Sequence, residues 1–291
     1  LNASNAANNT AVGYHSLLSN TTGTENTAVG TFALDANTTG QYNTGIGRGS
    51  LSENTTANNN TALGYNALLS NTTGANNVAV GSGALDSNTT ASENVAVGRG
   101  ALQSNTTGAN NTAIGDQALD QNTTASNNTA VGNDALLLNT TGTSNAAVGA
   151  NALDANTTGG YNTACGMNAL GATTTTNNNV AVGYDALAAN SNGERNTALG
   201  ANSMRTGNTG FSNCTAVGEE ALEVNEANNN TAVGYAALHA NTTGDLNTAI
   251  GVQAMSNSLN NDRNVAVGYA ALQNISDGQG DTYHTALGYG A

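Results

Sequence analysis

The side chains able to do chemistry in this 291-residue chain are few and scattered. Histidine stands at His15, His239 and His284, cysteine at Cys165 and Cys214, and one acidic run holds Glu219, Glu220, Glu223 and Glu226. A nucleophile, base and orienting acid, or a pair of carboxylates, must be gathered by the fold. Residues used once for catalysis would stand out as unique departures gathered in one place, and here the departures are dispersed. The chain is therefore not expected to be an enzyme. The glutamates offer oxygen ligands, but a cation loop sets its ligands at fixed short spacing, so the run reads as a solvated bulge. No metal and no cofactor are expected, since no His or second Cys recurs at ligand spacing.

What positions these residues is a repeat. Glycine returns every 17 residues at 13, 30, 47, 64, 81, 98, 115, 132, 149, 166, 183 and 200, then at 218, 234, 251, 268 and 288. Around each lies N-T-A-V-G-x-x-A-L-x-x-N-T-T-G-x-x. A fixed short period marks a stack of near-identical coils. The expectation is an all-β parallel β-solenoid or β-roll of about 17 coils, a single continuous array over residues 1–291. Irregular coils are expected near 201–230 and 274–288, where the glycine spacing runs 18, 16 and finally 20. The chain opens on Leu1 and stops part-way into a repeat, which reads as a segment of a longer fibre.

Within one coil, the Thr/Val-Ala-Val/Ile/Leu run has the composition of a short strand. Its last slot and the Leu five residues on are expected to supply the core: Val29 with Leu34, Val80 with Leu85, Ile114 with Leu119 and Val131 with Leu136. The Ala-Leu segment reads as a second strand. The middle Ala, replaced once by Gly45, signals close approach of another backbone and is assigned to a face shared with a neighbouring chain. The slot after Leu varies from Asp35 and Ser52 to Gln103 and Asp120, which reads as exposed. Cys165 takes a Val slot. Coils stacked at ~4.8 Å would hold it ~14 Å from Cys214, beyond disulfide reach.

Two asparagine columns are expected to form structural ladders, one before the strand (Asn26, Asn43, Asn60, Asn77, Asn94) and one opening each N-T-T-G turn (Asn20, Asn37, Asn54, Asn71). Stacked amides bond along the axis and cap turns. The second column also fits the N-x-[ST] glycosylation pattern. Tyr14, Tyr65, Tyr184, Tyr235 and Tyr269 follow the glycine and offer a stacking surface for glycans, or are simply tolerated surface residues.

Composition narrows the partners. The formal charge is −14, with five arginines and no lysine, so no basic patch exists to neutralise nucleic-acid phosphates. No run of apolar residues is long enough for a membrane span. The core per coil is thin against the entropy of ordering its residues, which favours a homo-oligomer, most simply a homotrimer.

The N-T-A-V-G-x-x-A-L core resembles the head repeats of trimeric autotransporter adhesins, whose period is shorter. The full 17-residue form, with its N-T-T-G turn, is more similar to repeats of phage tail-fibre proteins and related bacterial surface proteins, and the resemblance spans essentially the whole chain. It implies a trimeric shaft outside the cell, on a cell surface or virion, used for attachment to a glycan or protein receptor. Nothing matches the self-cleaving chaperone domain of tail-fibre relatives. Two other readings remain: a homopolymeric extracellular filament stacking end to end, and an ice-binding solenoid, against which the frequent Thr-to-Val exchange in the strand counts.

Overall fold

The computed structural model describes residues 6–206, 210–275, 280–281 and 283–291. It is an all-β parallel solenoid of about 16 turns with a spacing near 17 residues, and no helix occurs among the described residues. Gly207, Asn208 and Thr209 of the irregular turn, and residues 276–279 and 282 of the last insert, lie outside the described residues. The chain divides into two compact units, Leu1–Ser144 and Asn145–Ala291, each built from the same turn.

In the first unit, the turn beginning at Asn77 shows how the sequence makes the coil. Val78–Val80 is a three-residue strand, favoured by β-branched residues at both ends. It pairs in parallel and in register with Val95–Val97: Val78 opposite Val95, Ala79 opposite Ala96, Val80 opposite Val97. The eight strands from Thr10–Val12 to Thr129–Val131 follow one pattern. In the second unit, nine strands from Ala146–Val148 to Thr285–Leu287 pair the same way.

Side chains alternate across a strand, so the middle residue and its two neighbours face opposite ways. The middle residue faces inward: Ala62, Ala79, Ala96 and Ala113 are fully buried. The flanking residues face outward, which corrects the sequence assignment. Val29, Val80 and Val131 are only half-buried, and Ile114 is 41% exposed. Their partners Leu34, Leu85, Leu119 and Leu136 are fully buried. The physical reason is width. A 17-residue turn closes tightly, and opposite the strand the Ala-Leu segment already fills the interior. Gly45 shows the fit: a Cβ there would sit 3.1 Å from Ser50 Oγ and 3.4 Å from Leu34 Cδ1. The alanine column thus packs within its own coil, not against another chain.

The glycine after the strand is held by backbone crowding. Gly81 has φ +136°, and a Cβ on it would lie 2.6 Å from the carbonyl carbon of Gly98 in the next turn. The Ala-Leu segment is not a second strand. It is a run of turns in which Gly81, Gly83 and Leu85 take φ of +136°, +68° and +53°. A left-handed Leu costs roughly 1–2 kcal/mol, and its full burial returns roughly 1.5–3 kcal/mol. Bonds between turns hold the segment, with Leu85 N–H donating to Ala101 O at 3.0 Å and Ser87 N–H to Gln103 O at 3.0 Å. The slot after Leu is also less open than its variety implied: Asp120 is 8% exposed.

At the 18- and 16-residue spacings in the second unit, extra pairing bridges the irregular turns. Thr206 forms a bridge to Val224, and Val224–Asn225 pairs in parallel with Ala240–Asn241.

Candidate interaction face

In-register stacking turns each slot of the repeat into a column of neighbours about 4.8 Å apart. The outward strand positions form two such columns in each unit. One is Thr or Val, with Ala146 the exception, and runs Thr44, Thr61, Val78, Val95, Thr112 through part of the first unit. The other is aliphatic, with Ile46, Leu63 and Ile114 exposed in the first unit and Val148, Val182 and Ile250 in the second. No charged residue occupies either column in any of the three-residue strands. Isolated surface aliphatics are ordinary, but a contiguous apolar strip on a soluble surface marks a contact site. Cys165 belongs to this aliphatic column, and its thiol is free and exposed.

The asparagine columns lie inside the turn and are almost fully shielded from solvent. They bond differently. In the N-T-T-G column the amides form a true ladder: Asn37 Nδ2 donates to Asn20 Oδ1 at 2.9 Å, Asn54 Nδ2 to Asn37 Oδ1 at 2.9 Å, and Asn71 Nδ2 to Asn54 Oδ1 at 3.0 Å. The same Nδ2 closes its own turn, as from Asn71 to Gly74 O at 2.9 Å. In the pre-strand column the side chain links backbones instead. Asn43 N–H donates to Asn26 Oδ1 at 2.9 Å, while Asn43 Nδ2 donates to Ala57 O at 2.8 Å. Asn60, Asn77 and Asn94 repeat the arrangement. Asn20 and its copies are held inside, so a glycan on them would require pulling a bonded amide out of the core.

Cys214 stands in the pre-strand Asn column. Its N–H donates to Asn196 Oδ1 at 3.0 Å and its Sγ to Ala227 O at 3.2 Å. Burial pushes its thiol up to about 11, because the thiolate would lose its hydration.

Tyr14, Tyr65, Tyr184, Tyr235 and Tyr269 are all exposed, on the slot just past the glycine. They do not form one aromatic strip, because no two of them lie in adjacent turns. Tyr14 stacks on His15 at 3.8 Å and meets Phe32 edge-on at 5.7 Å. Arg48 lies over the Tyr65 ring at 5.5 Å, and Tyr269 stacks on Tyr289 at 4.9 Å.

One polar cluster was not legible in the sequence. Arg205, Glu223 and His239 share the slot after Leu or Met in three successive turns, so stacking makes them neighbours. Arg205 donates to Glu223 Oε1 from Nη2 at 2.6 Å and from Nε at 3.1 Å, and His239 Nε2 lies 2.7 Å from Glu223 Oε2. Glu220 completes the group, its carboxylate within 4.8 Å of the ligand atoms of Glu223 and His239. The acidic run had drawn attention to Glu220 and Glu223. Arg205 and His239 were missed because only alignment of the 18- and 16-residue turns brings them alongside. No helix among the described residues is long and apolar enough to cross a membrane. No family model matches the chain, and no curated protein matches it either, so its repeats and faces carry the functional reading.

Proposed function

We propose that the chain is a non-catalytic structural solenoid of an extracellular attachment fibre, a tail-fibre shaft or adhesin stalk, whose copies associate as a homotrimer through the outward strand face. The observation that carries this reading is the uncharged, partly aliphatic pair of columns on a chain of net charge −14. Copies of so acidic a chain repel one another. The outward strand positions bring no like charges together and remove apolar surface from water, at roughly 25 cal/mol per Å². The interface is therefore assigned to the Thr/Val and Val/Ile/Leu columns, not to the alanines.

The test is the native mass by light scattering without crosslinker. The expected value is near three times the 28.8 kDa of one chain, falling to one chain in Ile114→Glu with an unchanged circular dichroism spectrum. A single-chain mass for the parent refutes self-association, and polymers of indefinite length favour the filament reading. The outward, regularly spaced threonines favour one further alternative, ordering of water at ice. A thermal-hysteresis measurement decides it, absence of a freezing-point gap removing the idea.

A further inference from the structure

We propose that Glu220, Glu223 and His239 form a zinc-type divalent metal site that staples two successive turns of the second unit where the repeat spacing breaks. Glu220 and Glu223 come from one turn and His239 from the next, with ligand atoms mutually within 4.8 Å. Zinc binds imidazole nitrogen and carboxylate oxygen at about 2.0–2.2 Å, which in tetrahedral geometry separates donors by on the order of 3.3 Å. The three side chains are half-buried, so they have room for the small shifts needed to reach that separation. Three protein ligands leave a fourth position for water.

The surroundings suit this use. Arg205 engages Glu223 through Oε1 alone, leaving Oε2 and its lone pairs facing His239. Such an outer partner fixes the carboxylate's orientation, as second partners do in metal sites. The backbone beneath is pinned by the Thr206 N–H bond to Glu223 O at 2.8 Å and the Val224 N–H bond to His239 O at 2.9 Å. The imidazole disfavours calcium and magnesium, which take oxygen ligands, and favours zinc, cobalt or nickel. Among the described residues this is the one group of three or more such side chains with ligand atoms so close. The proposal is independent of the attachment reading.

The experiment is calorimetric titration of the full chain, stripped with chelator, with Zn²⁺, and in parallel with Co²⁺ followed by visible absorption. One saturable site per chain is expected, with the intense visible band of four-coordinate cobalt. His239→Asn removes the imidazole that reaches Glu223 Oε2, and Glu220→Gln leaves the Arg205–Glu223 pair intact. Each should weaken binding at least ~10-fold with an unchanged circular dichroism spectrum. His15→Asn and His284→Asn should bind like the parent. Absence of saturable binding at sub-millimolar Zn²⁺, binding left unweakened by either His239→Asn or Glu220→Gln, or loss of binding in either control overturns the proposal.

Discussion

Exchanging inside for outside on one strand tests the coil directly. Ala113 and Ile114 are adjacent in the strand Thr112–Ile114, yet Ala113 is fully buried and Ile114 is 41% exposed. Ala113→Val adds two methyl groups to an interior already closed by the buried Ala118 and Leu119 and flanked in the ladder by the buried Ala96 and Ala130. Overpacking of this kind costs typically 1–3 kcal/mol. Ile114→Ala removes a side chain already open to water for almost half its area, so in a single chain its loss should stay below about 1 kcal/mol, well short of the 2–5 kcal/mol of a buried Ile→Ala. A solenoid loosens locally, turn by turn, so the assay is hydrogen exchange of the amides around residues 111–119, with a denaturant melt beside it. Both are read on the Ile114→Glu background, which should be monomeric for the Ala113 variant, and on an Ile114→Ala sample diluted to a single-chain mass. Expected is faster exchange in Ala113→Val by a factor of roughly 5–150, the equivalent of 1–3 kcal/mol, and little change in Ile114→Ala. A tolerated Ala113→Val together with a severe Ile114→Ala would show that the interior lies on the other side of the strand.

Two further outcomes follow from the same geometry. Gly115→Ala places a Cβ at φ +141° and 2.6 Å from the carbonyl carbon of Gly132; strain alone costs roughly 1–3 kcal/mol, and backbone cannot yield, so its melting midpoint should fall, whereas Gly83→Asn, at φ +68° with no neighbour nearer than 3.9 Å, should melt close to the parent. The two thiols should separate by reactivity. In the single-chain Ile114→Glu background at pH 8, iodoacetamide should label the exposed Cys165 and spare Cys214, whose thiol is held at about 11, until denaturant opens the turn; equal labelling of both thiols in that folded single chain would contradict the buried Asn-column position of Cys214.

Much of the fold was legible because repetition multiplies weak signals. One Thr-Ala-Val run says little, but glycine at a constant interval fixes turn length, and parallel in-register pairing follows once equal turns stack. The buried Leu34, Leu85, Leu119 and Leu136 were readable as apolar residues in a constant slot. Which face of the strand lay inside was not. The alternation of Val78, Ala79 and Val80 marks two sides and leaves open which one closes on itself, and hydrophobicity alone points to valine. The left-handed Leu85 was equally hidden, because Leu is a poor resident of that region and only its burial compensates. A faint signal did exist in the slot two before it, where Gly49, Asn66, Gly83, Gly100 and Asp134 recur, residues that tolerate positive φ.

The sequence by itself therefore determined the period, the solenoid class, the glycine and asparagine columns and the uncharged character of the outward strand slots, since each depends on residue type at a constant interval. Only the tertiary structure decided the inside of the coil, the turn conformation of the Ala-Leu segment and the meeting of Arg205, Glu223, Glu220 and His239. Those depend on how narrowly 17 residues close and on which turns lie side by side where the interval changes. Both are properties of the backbone's path through space, and the order of side chains along the chain does not record them.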